Sequence, residues 1–291
     1  MLYPLSFRSK YYIKKNRNIR LLNRYNSLCA RSFSSKTLDI QGKNMSVVFR
    51  QLFWKFLRLY ILIYFVSYFI VSGKWSAVGN LFKHRNKSNS QILQDLIVAS
   101  YIPYLDVKEK FFVEFGATNG ILLSNTYMLE KFFGFSGAVA EPGRVWLSEL
   151  KQNRSCFVSN NCIWDKSGQT LLFREASNPD LSALSYLNKP NIDKKNLSSF
   201  LEYKVQTLSL NDFLKEANAP KEIIYLSIDT EGSELTILRT LDFDQYSPRV
   251  ITCEHNWANS REQIKKLLES KGYRRRHKFA SFQDDYYFLK L

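Results

Sequence analysis

A chain of 291 residues, 45% of them apolar, holds one sizeable core and appendages, and its net charge of +16 at first suggests a nucleic-acid binder. Residues 1–90, however, carry 17 Lys and Arg against the single acid Asp39, while residues 91–291 balance 25 basic with 25 acidic residues. A groove that follows a phosphate backbone needs uncompensated cations on the folded surface, so the balanced region argues against nucleic acid as a partner.

Residues 1–44 are rich in Arg, Lys, Ser and Asn and read as a basic arm or a targeting segment, with a mitochondrion or another organelle as the destination. The stretch "LYILIYFVSYFIVSG" (59–73) follows, without a charge. As a helix those residues rise about 22 Å, short of the ~30 Å hydrocarbon core. Extension back to Val47 gives a sufficient span, with Arg50, Lys55 and Arg58 snorkelling and Trp54 and Trp75 at the interfaces. Residues 45–75 are therefore expected to form a single-pass membrane-anchor helix touching lipid through residues 47–73. An interfacial helix and a buried core helix are the alternatives. Residues 76–90, "SAVGNLFKHRNKSNS", read as a polar linker to a domain over 91–291.

Within that domain short apolar runs alternate with amphipathic segments. Strands are expected at 110–115, 137–141, 156–160, 223–229, 249–255 and 285–291, and a small arm at 170–173. Helices are expected at 124–133 (capped by Ser124 or Asn125), 144–152, 233–241 and 261–273. Segment 204–217 passes from strand to helix, and the polar stretch 175–203 reads as an insertion over one sheet edge. Such alternation predicts an α/β fold, a mostly parallel sheet with helices on both faces. The basic run at 273–279 reads as a solvated face. Cys29, Cys156, Cys162 and Cys253 lack metal-ligand spacing, and His84, His255 and His277 are too scattered for zinc, so buried thiols and no metal site are expected.

Three segments place polar residues at carboxyl ends of strands, where ligands bind in such sheets. "VEFGATNG" offers Gly116 and Gly120 for close backbone approach to a ligand. "AEPG" ends the next strand on Glu141, 27 residues after Glu114, the usual place for an acid that holds a ribose diol. "SIDTEGSE" brings Asp229 and Glu231 to the mouth of a central strand. The order is that of a nucleoside-binding half. The missing G-x-G-x-x-G and the acidic mouth disfavour a diphosphate and suit a cationic sulfonium ligand.

"FFVEFGATNG…SNT…LE", "AEPG", "LSLNDFL" and "YLSIDTEGSELTIL" resemble the FkbM family of S-adenosylmethionine-dependent methyltransferases, from about Ser90 to the C-terminus. The resemblance implies a seven-stranded Rossmann-like class I methyltransferase fold and O-methylation of a hydroxyl on a sugar, lipid or other small-molecule acceptor. It also implies that Glu114, Gly116, Ala117, Asn119 and Gly120 surround the methionine part of the cofactor, Glu141 the ribose, and Asn160 the adenine. Asp229, Glu231 and His255 would face the acceptor as catalytic residues. Thr118 departs from the family's usual Asn, and Asn211 from a usual Asp. A membrane-anchored binding or trafficking protein without catalysis is the alternative; such a module would be under no constraint to keep Glu141 or the glycines.

Overall fold

The computed structural model describes residues 47–106, 108–176, 186–187, 200–255 and 258–289. The basic arm and most of the insertion expected at 175–203 lie outside these.

The main sheet contains β1 (Phe111–Phe115), β2 (Ser136–Ala140), β3 (Phe157–Ser159), β8 (Glu222–Ile228), β9 (Ser247–Glu254), β10 (Tyr273–Arg276) and β11 (Asp284–Leu289). Their order is β3-β2-β1-β8-β9-β11-β10, parallel except for β11. This is the mostly parallel α/β fold expected from the pattern, with the seven strands that the family resemblance implies. Alternation along the strands splits the core in two. Phe112, Val139, Tyr225, Val250, Tyr286 and Phe288 face one side, while Val113, Ala138, Leu226, Ile251 and Tyr287 face the other.

The first side is covered by α1 (Val47–Val71), α2 (Trp75–His84), α3 (Gln94–Tyr101), α4 (Tyr127–Phe133) and α5 (Arg144–Asn153). The second is covered by α6 (Leu210–Glu216), α7 (Glu234–Leu238) and α8 (Ser260–Ser270). A smaller sheet runs β4 (Cys162–Trp164), β7 (Phe200–Ser209), β5 (Thr170–Ala176), β6 (Tyr186–Leu187). The arm at 170–173 is therefore part of a second sheet, and β4 within it was not foreseen. Cys162 and Cys253 are buried free thiols as expected, Cys156 is a free thiol that is only half-buried, and Cys29 lies outside the described residues.

Two N-terminal expectations need comparison with the structure. The segment read as a linker is mostly helix: Ala77, Leu81 and His84 of α2 recur at helical spacing and are buried. The hydrophobic helix does form, and Gln51–Val71 is long and apolar enough to cross a membrane, a test of length and composition only. One face of it packs on the domain through Ile61, Phe65 and Phe69, spaced four residues apart and fully buried. Arg58 Nη1 donates to the Ser90 carbonyl at 2.6 Å. The buried His277 ring is hydrogen-bonded on both nitrogens, with Tyr64 Oη 3.2 Å from Nδ1 and Tyr101 Oη 2.6 Å from Nε2. The basic run around it is the edge strand β10, in which Arg275 Nη1 lies 3.2 Å from Asp285 Oδ2.

Candidate active site

The β1–α4 loop floors the carboxyl edge. β1 lies between β2 and β8, with Glu114 in register with Val139 and Ser227. The chain then turns at Gly116, φ +76°, where a Cβ would stand 2.0 Å from the Asp229 carbonyl oxygen. Only glycine lets the first loop touch the end of β8 this closely. Gly120, φ +81°, is packed against Arg154 and Leu150, whose side chains would meet a Cβ at 2.6 and 2.8 Å. Between them Ala117 is buried, and Asn119 Oδ1 accepts from the Ile121 and Leu122 amides. Thr118 occupies the left-handed region at φ +45°, with its amide directed at Glu141 Oε2, 2.9 Å away.

Glu114 is buried, and its carboxylate organises the start of α4. Ser124 Oγ, Thr126 Oγ1 and the Asn125 amide donate to it at 2.8, 2.6 and 2.5 Å, and Arg154 Nη1 is 3.3 Å away. The helix starts at Tyr127, so its cap position falls on Thr126 and not on Ser124 or Asn125 as expected, although Ser124 Oγ accepts the Tyr127 amide at 3.0 Å. Glu114 thus faces the loop that surrounds the predicted methionine site and holds its shape. Arg154, absent from the sequence reading, ties Glu114 to Glu130 and to the Gly120 carbonyl.

Glu141 lies where β2 ends. Its carboxylate accepts the Thr118 and Gly143 amides at 2.9 and 2.8 Å. Burial pushes its pKa up to about 7 and nearby Glu175 adds to the rise, while the two amides oppose it. Glu175 comes from β5 of the second sheet and accepts the Val145 amide at the start of α5. Beside Glu141, Pro142, Gly143, Asn160 and Asn161 line a hollow of about 160 Å³ closed by Tyr203 and Val205 of β7. Asn160 therefore sits on the same side of the turn as Glu141.

The ends of β8 and β9 carry a cluster of acids. Carboxylate oxygens of Asp229, Glu231 and Glu254 all lie within 4.8 Å of one another, a spacing that a hard divalent cation could bridge although no metal site was expected. Burial, then Glu231, pushes Asp229 up to about 7, and burial with Asp229 raises Glu254 as well. Asp284 of β11, in register with Glu254, is pushed up to about 8 by burial and Asp229, against a hydrogen bond from Gln94 Nε2. Glu231 adopts φ +54° in a loop whose Thr230 and Gly232 amides both donate to Glu234. His255 goes elsewhere. Its Nε2 lies 3.9 Å from Asp285 Oδ1, and burial lowers its pKa to about 4. Asp285 pairs in register with Cys253, so Asp285 and His255 alternate to the face opposite Glu254. The structure thus brings Glu254 and Asp284 to Asp229 where the sequence reading nominated His255. The signal was present in "CEH", but only the register with β11 selects the glutamate.

Fold and site together define a Rossmann-like α/β protein with a glycine loop, a hollow beside Glu141 and a cluster of acids at the carboxyl edge of its sheet. The methyltransferase FkbM domain matches residues 114–275, and the chain belongs to that family of methyltransferases, which typically use S-adenosylmethionine. Solved structures similar to it include a methyltransferase FkbM from Methylobacillus flagellatus KT, at 15% identity and a TM-score of 0.38, covering 62% of this chain and 43% of that one. Another is a precorrin-6y C5,15-methyltransferase from Geobacter metallireducens GS-15, at 9% identity and 0.35, covering 66% and 85%. A third is a ribosomal protein L11 methylase from Lactobacillus delbrueckii subsp. bulgaricus, at 10% and 0.35, covering 68% and 78%. The chain thus spans less than half the length of the first of these. No curated protein matches it.

The residues present fit a sulfonium nucleoside. Gly116 lets the β1 loop close against the end of β8, where the Asp229 carbonyl oxygen takes the place a Cβ would fill. Glu141 keeps lone pairs beyond its two amides for a diol, next to the hollow at Asn160. The acids at the rim suit a cation.

Proposed function

We propose that this chain transfers a methyl group from S-adenosylmethionine to a hydroxyl oxygen of a small-molecule acceptor, a sugar or lipid being the favoured class. The observation that carries the reading is Asp229, a half-buried carboxyl group at the end of β8, gathered with Glu231 and Glu254, whose pKa is pushed up to about 7. A base with that value takes a hydroxyl proton near neutrality and holds it. When bound, the cofactor supplies a methyl group on a positive sulfur, and the carbon–sulfur bond breaks with its electron pair staying on sulfur.

The chain's own residues do the rest. Glu141 and the hollow at Asn160 hold the nucleoside, while Gly116 and Ala117 let it approach the backbone. The Glu114–Arg154 pair keeps the loop from 116 to 126 in place. Asp229 accepts the hydroxyl proton as the acceptor oxygen attacks the methyl carbon in line. Glu231 keeps that carboxyl group basic, and a hydrogen bond with Glu254 orients it. Positioning in a water-poor cleft supplies most of the acceleration. His255, lowered to about 4 and turned toward Asp285, is left out of the proton path. The retained glycines and Glu141 favour the enzyme over a non-catalytic binding module.

Labelled S-adenosylmethionine incubated with the full chain and a hydroxylated-lipid and sugar extract tests the reading. Alkali-stable label, an ether rather than an ester, is expected with the wild type. Asp229→Asn should lower it by about two orders of magnitude while cofactor affinity stays within a few fold. Equal label in Asp229→Asn, or label released by alkali, would contradict it.

A further inference from the structure

The two faces of α1 have different fates. Its inner face, with Trp54, Ile61, Phe65 and Phe69, is buried on the domain. Arg58 is bonded to the Ser90 carbonyl, Tyr60 Oη to the Phe279 carbonyl at 3.2 Å, and Tyr64 to His277. The outer face presents Leu52, Phe56, Leu59, Ile63, Ile70 and Val71, from 43% to 88% exposed. At 100° per residue these fall on one side, opposite the docked residues, along about 28 Å of helix. Trp75 and Phe82 of α2, also exposed, continue the apolar surface. A contiguous patch of this size marks an interaction site.

We propose that this surface lies flat on an anionic lipid bilayer, with α1 in the plane of the interface and still docked on the domain. Charge chooses the occupant. From residue 40 to residue 94 there is no acid, whereas Lys55, Lys83, Arg85 and Lys87 are exposed beside the apolar stripe. An apolar face rimmed by cations, with a tryptophan at its margin, matches acidic headgroups over acyl chains. A second copy of the chain would set the same cations against each other.

Docking also decides the orientation. A helix crossing the bilayer would carry the Ser90 and Gln91 carbonyls and the Lys278–Ala280 turn to hydrocarbon depth, or else shed every inner contact. Lying in the plane requires neither. The loop that Arg58 grips leads directly into Gln94, the partner of Asp284 at the acid cluster, so the lipid surface is one loop from the candidate active site.

The full chain, tagged at its N-terminus, is floated with vesicles of phosphatidylcholine alone or mixed with phosphatidylserine, then treated with external protease. Flotation with the mixed vesicles is expected, at least about tenfold weaker with phosphatidylcholine alone. External protease should reach both the tag and the C-terminal domain. Phe56→Glu with Ile63→Glu should abolish flotation without changing the melting temperature or the circular dichroism spectrum. Lys83→Glu with Lys87→Glu, at the end of α2 and just after it, should remove the preference for phosphatidylserine. Protection of either the tag or the domain would overturn the in-plane arrangement. Failure to float, with the wild type sedimenting as a dimer that Phe56→Glu and Ile63→Glu dissociate, would assign the surface to a second copy. Failure to float as a monomer would refute lipid binding outright. None of these outcomes depends on methyl transfer.

Discussion

Replacing Gly116 by alanine tests the contact on which the cleft rests. The new Cβ would stand 2.0 Å from the Asp229 carbonyl oxygen, where real Cβ contacts do not fall below 3.0 Å. The β1 loop and the end of β8 must therefore separate by at least 1 Å, and both are backbone, so no flexible side chain can yield. The residue must also hold φ +76°, which costs about 1–2 kcal/mol for an L side chain. With about 1–3 kcal/mol for overpacking, a total near 3 kcal/mol follows, or a fall of roughly 6–12 °C in Tm for a domain of this size. Gly134→Ala is the control: φ there is +69° but nothing lies within 4 Å of the added Cβ. It should lose only the backbone cost of about 1–2 kcal/mol, roughly 2–8 °C. Thermal melts of both variants, with calorimetric titration of S-adenosylmethionine, provide the comparison. Equal melting of the two, with undiminished cofactor binding by Gly116→Ala, would show that the two loops do not meet.

The acid cluster makes stability fall with rising pH. Asp229 and Asp284 have folded values of about 7 and about 8, above those of the unfolded chain, so their contribution is complete at low pH and lost as pH rises through those values. Each such group costs about 1.4 kcal/mol per pH unit within that window, and Asp284→Asn should flatten the slope; a Tm that rises from pH ~5.5 to ~8 would refute this. Thr118→Asn should stabilise by about 1 kcal/mol, since asparagine tolerates φ +45° better than a β-branched residue, and a lower melting temperature in that variant would count against the loop geometry.

Local patterns made the sheet legible. Strand alternation in "FFVEF" and "IIYLSI" marks residues buried on both faces, and glycines at 116 and 120 mark turns that other residues resist. Asn211, a departure from the family pattern, is structural: it donates to the Thr240 carbonyl and accepts the Asp242 amide. What stayed hidden depends on distant pairing. α2 looked like a linker because residues 76–90 are rich in Lys, Asn and Ser while its core residues are only Ala77, Leu81 and His84, whose burial needs α1 and α3 as partners. β4 spans only three residues and takes its strand character from β7. Glu254 was passed over for His255, although β11 in register places Glu254 beside Asp284. Gln94 reaches Asp284 across 190 residues, and Glu175 reaches the start of α5 from the second sheet; no local spacing encodes either contact.

Calorimetric titration of the full chain with S-adenosylmethionine, for the wild type and Glu141→Gln, tests the cleft most directly. Glutamine keeps one carbonyl acceptor but turns an amide group toward either the Thr118 or the Gly143 N–H, so both nucleoside and loop lose a partner. The wild type should bind saturably at one site, more tightly as pH rises through about 7 and Glu141 ionises, and above that pH Glu141→Gln should bind at least tenfold more weakly, about 1.4 kcal/mol. No heat beyond dilution with the wild type, or indistinguishable titrations of the two proteins, would contradict the assignment of this cleft to the cofactor.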